Sequence, residues 1–261
     1  MSRTDVNSKS IPARRSSLKA LVNNHEVTVL LVLIIMVIVF SFAAENFMKT
    51  ANILSILNLT SIMFIMSVGE MLVIISGGID LSVANMMALG GIVCTSMIKN
   101  GTHFVLAIFA TLLVGVIVGL INGLLTAKVG VVDFIATIAM QLILHGITYT
   151  WTGGYPINLG LPKGFTFLGQ GSLFGIPFLV IIALIVFAIF YLLLHKCTFG
   201  SRLYAIGGNK EASRLSGINV DLTKIVSFTL SGVLGALAGV LMAARLGSGQ
   251  PTAGATYLNY V

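Results

Sequence analysis

The sequence is poor in charge. Only 9% of its 261 residues are Asp, Glu, Lys or Arg, whereas soluble domains carry about 25%, so an ordinary soluble protein is excluded. Eight acidic residues against fifteen basic ones give a net charge of +7. The basic residues lie between apolar segments, which indicates orientation in a membrane rather than a surface for nucleic acid.

Cysteine is scarce as well. Cys94 lies in an apolar run and Cys197 at the end of another, and their spacing is not that of a metal or redox motif. The phosphate-binding pattern Gly-x-x-x-x-Gly-Lys-Ser/Thr is also missing, so any ATP would have to be bound by another subunit. We therefore predict no metal, no cofactor and no catalytic residue, and we do not expect an enzyme.

Apolar residues dominate what remains, at 57% of the chain with a mean hydropathy of +1.03. Runs of about 18 to 24 apolar residues match a hydrocarbon core of about 30 Å. Seven runs reach that length, at residues 27–44, 53–76, 81–98, 104–127, 132–150, 174–194 and 225–243. We predict an all-α, polytopic transmembrane helical bundle over residues 27–261, preceded by a basic tail at 1–26.

The distribution of basic residues predicts the orientation of the bundle. With the N-terminus in the cytoplasm, eleven basic residues fall on the cytoplasmic side and four on the outside, which agrees with the positive-inside rule. The pair Arg14-Arg15 has some likeness to a twin-arginine export signal, but the apolar run that follows is long enough to remain as a span.

The cytoplasmic loop 195–224 contains a short helix with recognisable ends. Asn209 is a good N-cap, Gly217 can take the left-handed conformation that ends a helix, and Ala212 and Leu215 share one face. Such a helix is too short to be stable alone. We expect it to dock on a surface, which is either a partner protein or the lipid headgroups.

The same loop carries a family resemblance. Glu211-Ala212-Ser213 followed by Gly217 resembles the EAA-x-x-x-G signature of ABC importer permeases, with Ser in place of the second Ala, and the flanking residues resemble the ribose-type branch. In that family this segment is the coupling helix, which sits in a groove of the ATP-hydrolysing subunit. The resemblance implies that role for Glu211, Ala212, Arg214 and Gly217, with Asn209 as the cap.

A second motif lies between the second and third runs. Gly77 and Gly78 permit a sharp reversal, and Asp80 or Ser82 can cap the helix that follows. Alternatively, this break lies partly within the membrane and lines a route for solute, because irregular backbone at that depth is tolerated only beside protein or water. The string from Gly77 to Val83 closely resembles a hallmark of ribose-type permeases.

Three further polar residues occur in apolar runs. A carboxylate such as Glu70 is costly at membrane depth, so it must reach an interface, find a partner, bind a proton or line a pathway. Asn122 can bond across helices or line a route, and Thr137 lies in a segment similar to one in the family, from which Asp133 departs. The candidate pathway residues are Glu70, Asp80, Ser82, Asn122 and Thr137.

Small residues recur at intervals of four in two runs. Gly115, Gly119 and Gly123 occupy one stripe of the fourth run, and Gly235 and Gly239 one stripe of the seventh. Such stripes allow close approach of helix backbones, so we expect tight packing there.

The longest external loop runs from Trp151 to Leu173 and is rich in Gly and Pro. We expect Trp151 and Tyr155 to be anchors at the membrane interface. The loop also offers a place where an external binding protein can dock.

The family resemblance implies a permease of the bacterial inner membrane for a sugar or sugar-like solute. It also implies a separate ATP-binding subunit, an external solute-binding protein, a second permease copy and surrounding lipid. Family members usually continue for several more helices, so the C-terminal part of the domain is expected to be absent here. The alternatives are an ion-coupled carrier that uses Glu70 and Asp80, and a truncated chain that does not transport.

Overall fold

The computed structural model describes residues 25–158 and 160–254. All but the last two residues of the predicted tail lie outside these ranges. The helices are α1 (His25–Ala43), α2 (Thr50–Ile75), α3 (Val83–Lys99), α4 (Phe104–Leu124), α5 (Asp133–Thr152), α6 (Lys163–Gln170), α7 (Phe178–Lys196), α8 (Thr198–Gly208), α9 (Lys210–Leu215) and α10 (Val220–Leu246). A π-helical turn, Leu125–Val129, continues α4.

Four two-residue strands form two small antiparallel pairs outside the helices. They are β1 (Ile157–Asn158), β2 (Ser172–Leu173), β3 (Ile176–Pro177) and β4 (Ser248–Gly249). β1 pairs with β4, and β2 pairs with β3. Helices therefore dominate the described residues, and the predicted all-α bundle is confirmed.

Each of the seven apolar runs forms a helix. Five helices are long and apolar enough to cross a membrane, namely α2, α4 with its π-helical turn, α5, α7 and α10, and the apolar part of α1 and the whole of α3 are shorter. The 17 residues of α3 extend over about 25 Å at 1.5 Å per residue. This is less than the hydrocarbon core of about 30 Å, so α3 is shorter than the other apolar helices of the second unit.

The chain forms two compact units, residues 1–53 and 54–261. In the described part of the first unit, α1 is apolar along its length. The ring of Phe40 stacks on that of Phe47 with centroids 5.7 Å apart, and the Asn52 amide donates to the Phe47 carbonyl over 2.8 Å. These contacts lie within the turn that follows α1.

The second unit is built around α10, whose middle is buried between α3 and α4. Glycines make this packing possible, as the two stripes predict. A Cβ at Gly119 would overlap the carbonyl oxygen of Phe228, and one at Gly115 would lie 2.5 Å from the carbonyl oxygen of Gly232. Two turns further along the same face of α10, a Cβ at Gly239 would overlap the carbonyl oxygen of Met87 in α3.

The outward faces of the long helices are apolar. Leu106, Phe109 and Leu113 of α4 and Leu184 of α7 are exposed. An exposed stripe of this kind suits contact with lipid tails.

We expect Gly119→Ala to lower the stability of the fold by about 1–3 kcal/mol, because the new methyl group would force α4 away from the backbone of α10. Gly146→Ala in α5 is the matched control, since a Cβ there meets no atom within 4 Å. That substitution should be neutral or stabilising by about 0.4–1 kcal/mol. Thermal unfolding of the purified chain in micelles measures both changes, and equal midpoints for the two variants would contradict the packing described for α4.

Candidate functional site

The break between α2 and α3 is organised around the carboxylate of Asp80. Its Oδ1 accepts from the backbone N–H of Ser82 over 3.0 Å and from the Ser82 hydroxyl over 2.6 Å. Its Oδ2 accepts from the hydroxyl of Ser231 in α10 over 2.8 Å. The backbone N–H of Asp80 donates to Glu70 Oε1 over 3.0 Å, so the acid is held through both its backbone and its side chain.

Two further helices, α4 and α5, donate hydrogen bonds to the same segment. Asn122 of α4 donates through Nδ2 to the Ser82 hydroxyl over 2.8 Å. The Thr137 hydroxyl of α5 lies 3.3 Å from the carbonyl oxygen of Ile79 and 2.8 Å from that of Asp133. We call these side chains the break network: Glu70, Asp80, Ser82, Asn122, Thr137 and Ser231.

The structure therefore brings all five candidate pathway residues together and adds Ser231. All six side chains are buried. Glu70 is buried, and its hydrogen-bond partner is the backbone N–H of Asp80 rather than a cation. Among the described residues, Glu70 Oε2 and Asn122 Oδ1 are buried polar atoms without a hydrogen-bond partner.

The prediction that Ser82 or Asp80 caps α3 is right for the position of Ser82 and wrong for the hydrogen bond. Ser82 occupies the N-cap position of α3, but its side chain makes no capping hydrogen bond to that helix. Instead Asp80 accepts the Ser82 N–H in a local turn. The reversal itself uses Gly77, whose φ of +80° favours glycine.

Two cavities border the break. One of about 220 Å³ reaches Glu70 and Asp80 between Ile79 and Ala84. The other, of about 380 Å³, lies on the side predicted to be cytoplasmic. It is lined by Gly77, Gly78, Ile79, Thr126, Gly130, Val131, Val132, Asp133, Phe134, Lys210 and Lys224. Since Lys210 is the first residue of α9, this inner cavity connects the proposed coupling helix with the break.

An ion pair that the sequence did not predict closes one wall of the inner cavity. Lys224 Nζ lies 2.6 Å from Asp133 Oδ1, and the two side chains are only 12% and 14% exposed. The pair joins the start of α5 to the first turns of α10. The sequence does place an acid and a base at the predicted cytoplasmic ends of two spans. It does not show that the two lie close together, because that depends on how the helices pack.

The ends of α9 form as predicted. The N–H of Ala212 donates to Asn209 Oδ1 over 2.9 Å, which makes Asn209 the N-cap, and Gly217 has a φ of +81°. The preceding helix α8 continues through Gly207 to Gly208, directly before this cap.

The predicted apolar face of α9 is not covered by described residues of this chain. Leu215 is 89% exposed and Ala212 is also exposed, while Ser213 on the opposite face is buried. Arg214 extends to Glu211 at 3.7 Å and to Asp221 at 3.2 Å. The helix is therefore fixed through its polar side and presents its apolar side outward.

A close backbone contact joins this cytoplasmic segment to the break. A Cβ at Gly207 in α8 would overlap the carbonyl oxygen of Ile75, the last residue of α2, whereas a Cβ at Gly208 would meet no atom within 4 Å. The backbone of α8 therefore lies directly against the end of α2, two residues before Gly77.

Comparison with known proteins identifies the family of the chain. The family described as branched-chain amino acid transport system / permease component matches residues 52–261. The chain belongs to this permease family. No solved structure matches it significantly.

The relatives of the permease are sugar permeases. It is 41% identical over 231 residues to the ribose import permease protein RbsC of Escherichia coli K12, covering 87% of this chain and 72% of that one. It is 36% identical to the D-allose transport system permease protein AlsC, with 89% and 72% covered. It is 31% identical to the galactose/methyl galactoside import permease protein MglC, with 87% and 73% covered. Both are from Escherichia coli K12.

These relatives are permease components of transport systems and not enzymes. Together with the apolar helices, they place the permease in the bacterial inner membrane as a multi-pass protein. Its resemblance to the ribose-type sugar permeases of ABC importers is thereby confirmed.

We expect Lys224→Met to destabilise the permease by about 3 kcal/mol, because it leaves the carboxylate of Asp133, which is only 14% exposed, without its cation. Lys128→Met is the control, since its pair with Asp221 is exposed and Arg214 also reaches that acid. The control should lose less than about 1 kcal/mol. Denaturant titration in mixed micelles measures both, and equal losses would contradict a structural role for the buried pair.

Proposed function

We propose that this permease is the membrane subunit of an ATP-driven importer for a monosaccharide. A separate ATPase subunit supplies the energy, an external binding protein delivers the sugar, and two permease copies enclose the route. The names of its relatives support the solute class, because ribose, allose and galactose are all monosaccharides. The observation that carries the proposal is the uncovered apolar face of α9, which adjoins the break.

In this proposal α9 is the coupling helix and docks on the ATPase. Asn209 starts the helix and Gly217 ends it, so both keep its geometry. Ala212 is small enough to permit close approach, and Glu211 and Arg214 present opposite charges beside it. Leu215 is a large apolar side chain with charged neighbours, and an apolar centre with a charged rim is typical of a protein interface.

In this proposal, the displacement of α9 reaches the membrane-spanning helices through α8. Closure of the ATPase subunits displaces α9, and α8 follows because the two helices are separated by a single residue, Asn209. The contact of Gly207 with Ile75 then shifts the end of α2. Rigid-body movement of packed helices is a common form of switching between two access states.

The break network is the proposed inner gate of the route. Glu70 and Asp80 border the 220 Å³ cavity, so they are placed to meet solute when that cavity widens. Ser82, Asn122 and Thr137 are buried among helices. In this conformation their hydrogen bonds hold the segment between α2 and α3 in place. They would face the solute only after those hydrogen bonds are replaced by hydrogen bonds to the solute.

A second candidate function is ion-coupled transport. It is favoured by Glu70, whose Oε2 is buried without a hydrogen-bond partner, near a second buried acid at Asp80. Uptake by cells separates the two functions. Loss of uptake on ATP depletion with an intact proton gradient supports the ATP-driven importer, and loss on addition of an uncoupler with ATP maintained supports ion coupling.

Leu215→Asp should abolish co-purification of the ATPase subunit, because it places a charge at the centre of the proposed contact. The size of the loss should be at least tenfold, since a central apolar anchor is worth about 2 kcal/mol or more. Pull-down of the ATPase with tagged permease measures it.

Phe174→Asp is the matched control for this prediction. Phe174 is 96% exposed in the turn between β2 and β3, on the side predicted to be external. Its φ of +52° also suits Asp. Full retention of the ATPase by the Leu215 variant, or equal loss by both variants, would contradict docking through α9.

A further inference from the structure

A third cavity lies at the other end of α3, on the side predicted to be external. Its volume is about 530 Å³. The residues that border it include two aromatic rings, two amides and one ammonium group: Trp151, Tyr155, Asn100, Asn158 and Lys99. The break network and this cavity are therefore separated by the length of a single helix, α3.

The walls of this cavity are tied to the core of the unit. Asn158 and Ile157 pair with β4, directly after α10. A Cβ at Gly249 in β4 would overlap the hydroxyl of Thr95 in α3, so β4 lies tightly against that helix. A cavity that α3, the end of α5 and β1 border in this way is formed before any ligand arrives, as is usual for small-molecule sites.

The chemistry of the lining fits a neutral polyhydroxylated ring. Trp151 is 53% exposed and Tyr155 is 76% exposed, so their rings are accessible. An aromatic face is negative and attracts the C–H groups on the apolar face of a sugar. The amides of Asn100 and Asn158 both donate and accept hydrogen bonds, and the ammonium of Lys99 donates, which matches hydroxyl groups at the edge of the ring.

The positive charge of Lys99 at the cavity disfavours binding of a cationic ligand. Lys99 is part of no ion pair among the described residues, and none of the bordering residues is acidic. An aromatic anchor at the lipid interface would not account for two amides and an ammonium around the same cavity. The volume lies within the range of about 300–1,000 Å³ typical of small-molecule sites.

We propose that this cavity is an entry site that binds one neutral monosaccharide before it reaches the break. Trp151 stacks on the apolar face of the ring, and Asn100, Asn158 and Lys99 bind its hydroxyl groups. The identity of the ligand rests on the proposed function as a sugar permease. The site itself concerns residues that this function does not otherwise employ.

The permease carries a single tryptophan, so its intrinsic fluorescence reports directly on this cavity. We expect D-ribose, D-allose or D-galactose to change the emission of the purified permease in nanodiscs, without ATPase or binding protein. The change should saturate, and bound sugar should protect Trp151 from quenching by acrylamide. The cationic sugar glucosamine should bind at least tenfold more weakly than galactose.

Substitutions of the bordering residues test whether the sugar binds in this cavity. Asn158→Ala should raise the half-saturating sugar concentration about five- to tenfold, as expected for the loss of one hydrogen-bonding side chain. Tyr155→Ala should raise it similarly, whereas Tyr204→Ala, an exposed tyrosine of α8, should leave it unchanged. A saturable response with this pattern supports the entry site.

Other outcomes overturn the entry site. They are an emission that no sugar changes, a response that the Asn158 and Tyr155 variants retain in full, and a response that requires the binding protein, which would make the cavity a docking surface. Sugar uptake by the assembled transporter separates the two proposals. Uptake without a fluorescence response leaves the proposed function standing and removes the entry site, and absence of any sugar uptake removes the proposed function.

Discussion

A polar group inside the membrane-spanning part of a protein has to find its partners within that protein. The chain meets this constraint at Asp80. Its carboxylate accepts three hydrogen bonds from Ser82 and Ser231, and its N–H is taken by Glu70. Because these partners belong to different helices, α2, α3 and α10 are fixed relative to one another at one buried point, and Asn122 adds α4 to the same point.

The same region is where the short helices α8 and α9, predicted to be cytoplasmic, meet the long apolar ones. The carbonyl end of α2 lies against Gly207 of α8. Lys210 at the start of α9 and the ion pair of Lys224 with Asp133 line the cavity beneath the break. A displacement of α9 thus has a short physical path to the break network. The glycine contacts of α10 with α3 and α4 pack these three helices closely against one another.

Hydropathy alone predicted the seven apolar helices and the approximate ends of each, and local sequence predicted the cap at Asn209 and the left-handed Gly217. The candidate residues of the break were also identifiable, because polar side chains in apolar runs are costly. Their partners were not. Ser231 is 151 residues from Asp80 and Lys224 is 91 residues from Asp133, and no local pattern specifies such contacts. The exposed face of α9 likewise depends on how Ser213 packs.

The contact between α8 and the end of α2 is tested most directly by comparing Gly207→Ala with Gly208→Ala in the assembled transporter. A methyl group collides with the Ile75 carbonyl at the first position and meets no atom within 4 Å at the second. We predict that both variants retain the ATPase subunit, and that the Gly207 variant loses at least tenfold in solute uptake per ATP hydrolysed while the Gly208 variant does not. Equal coupling ratios in the two variants would contradict a mechanical connection from α9 to the break.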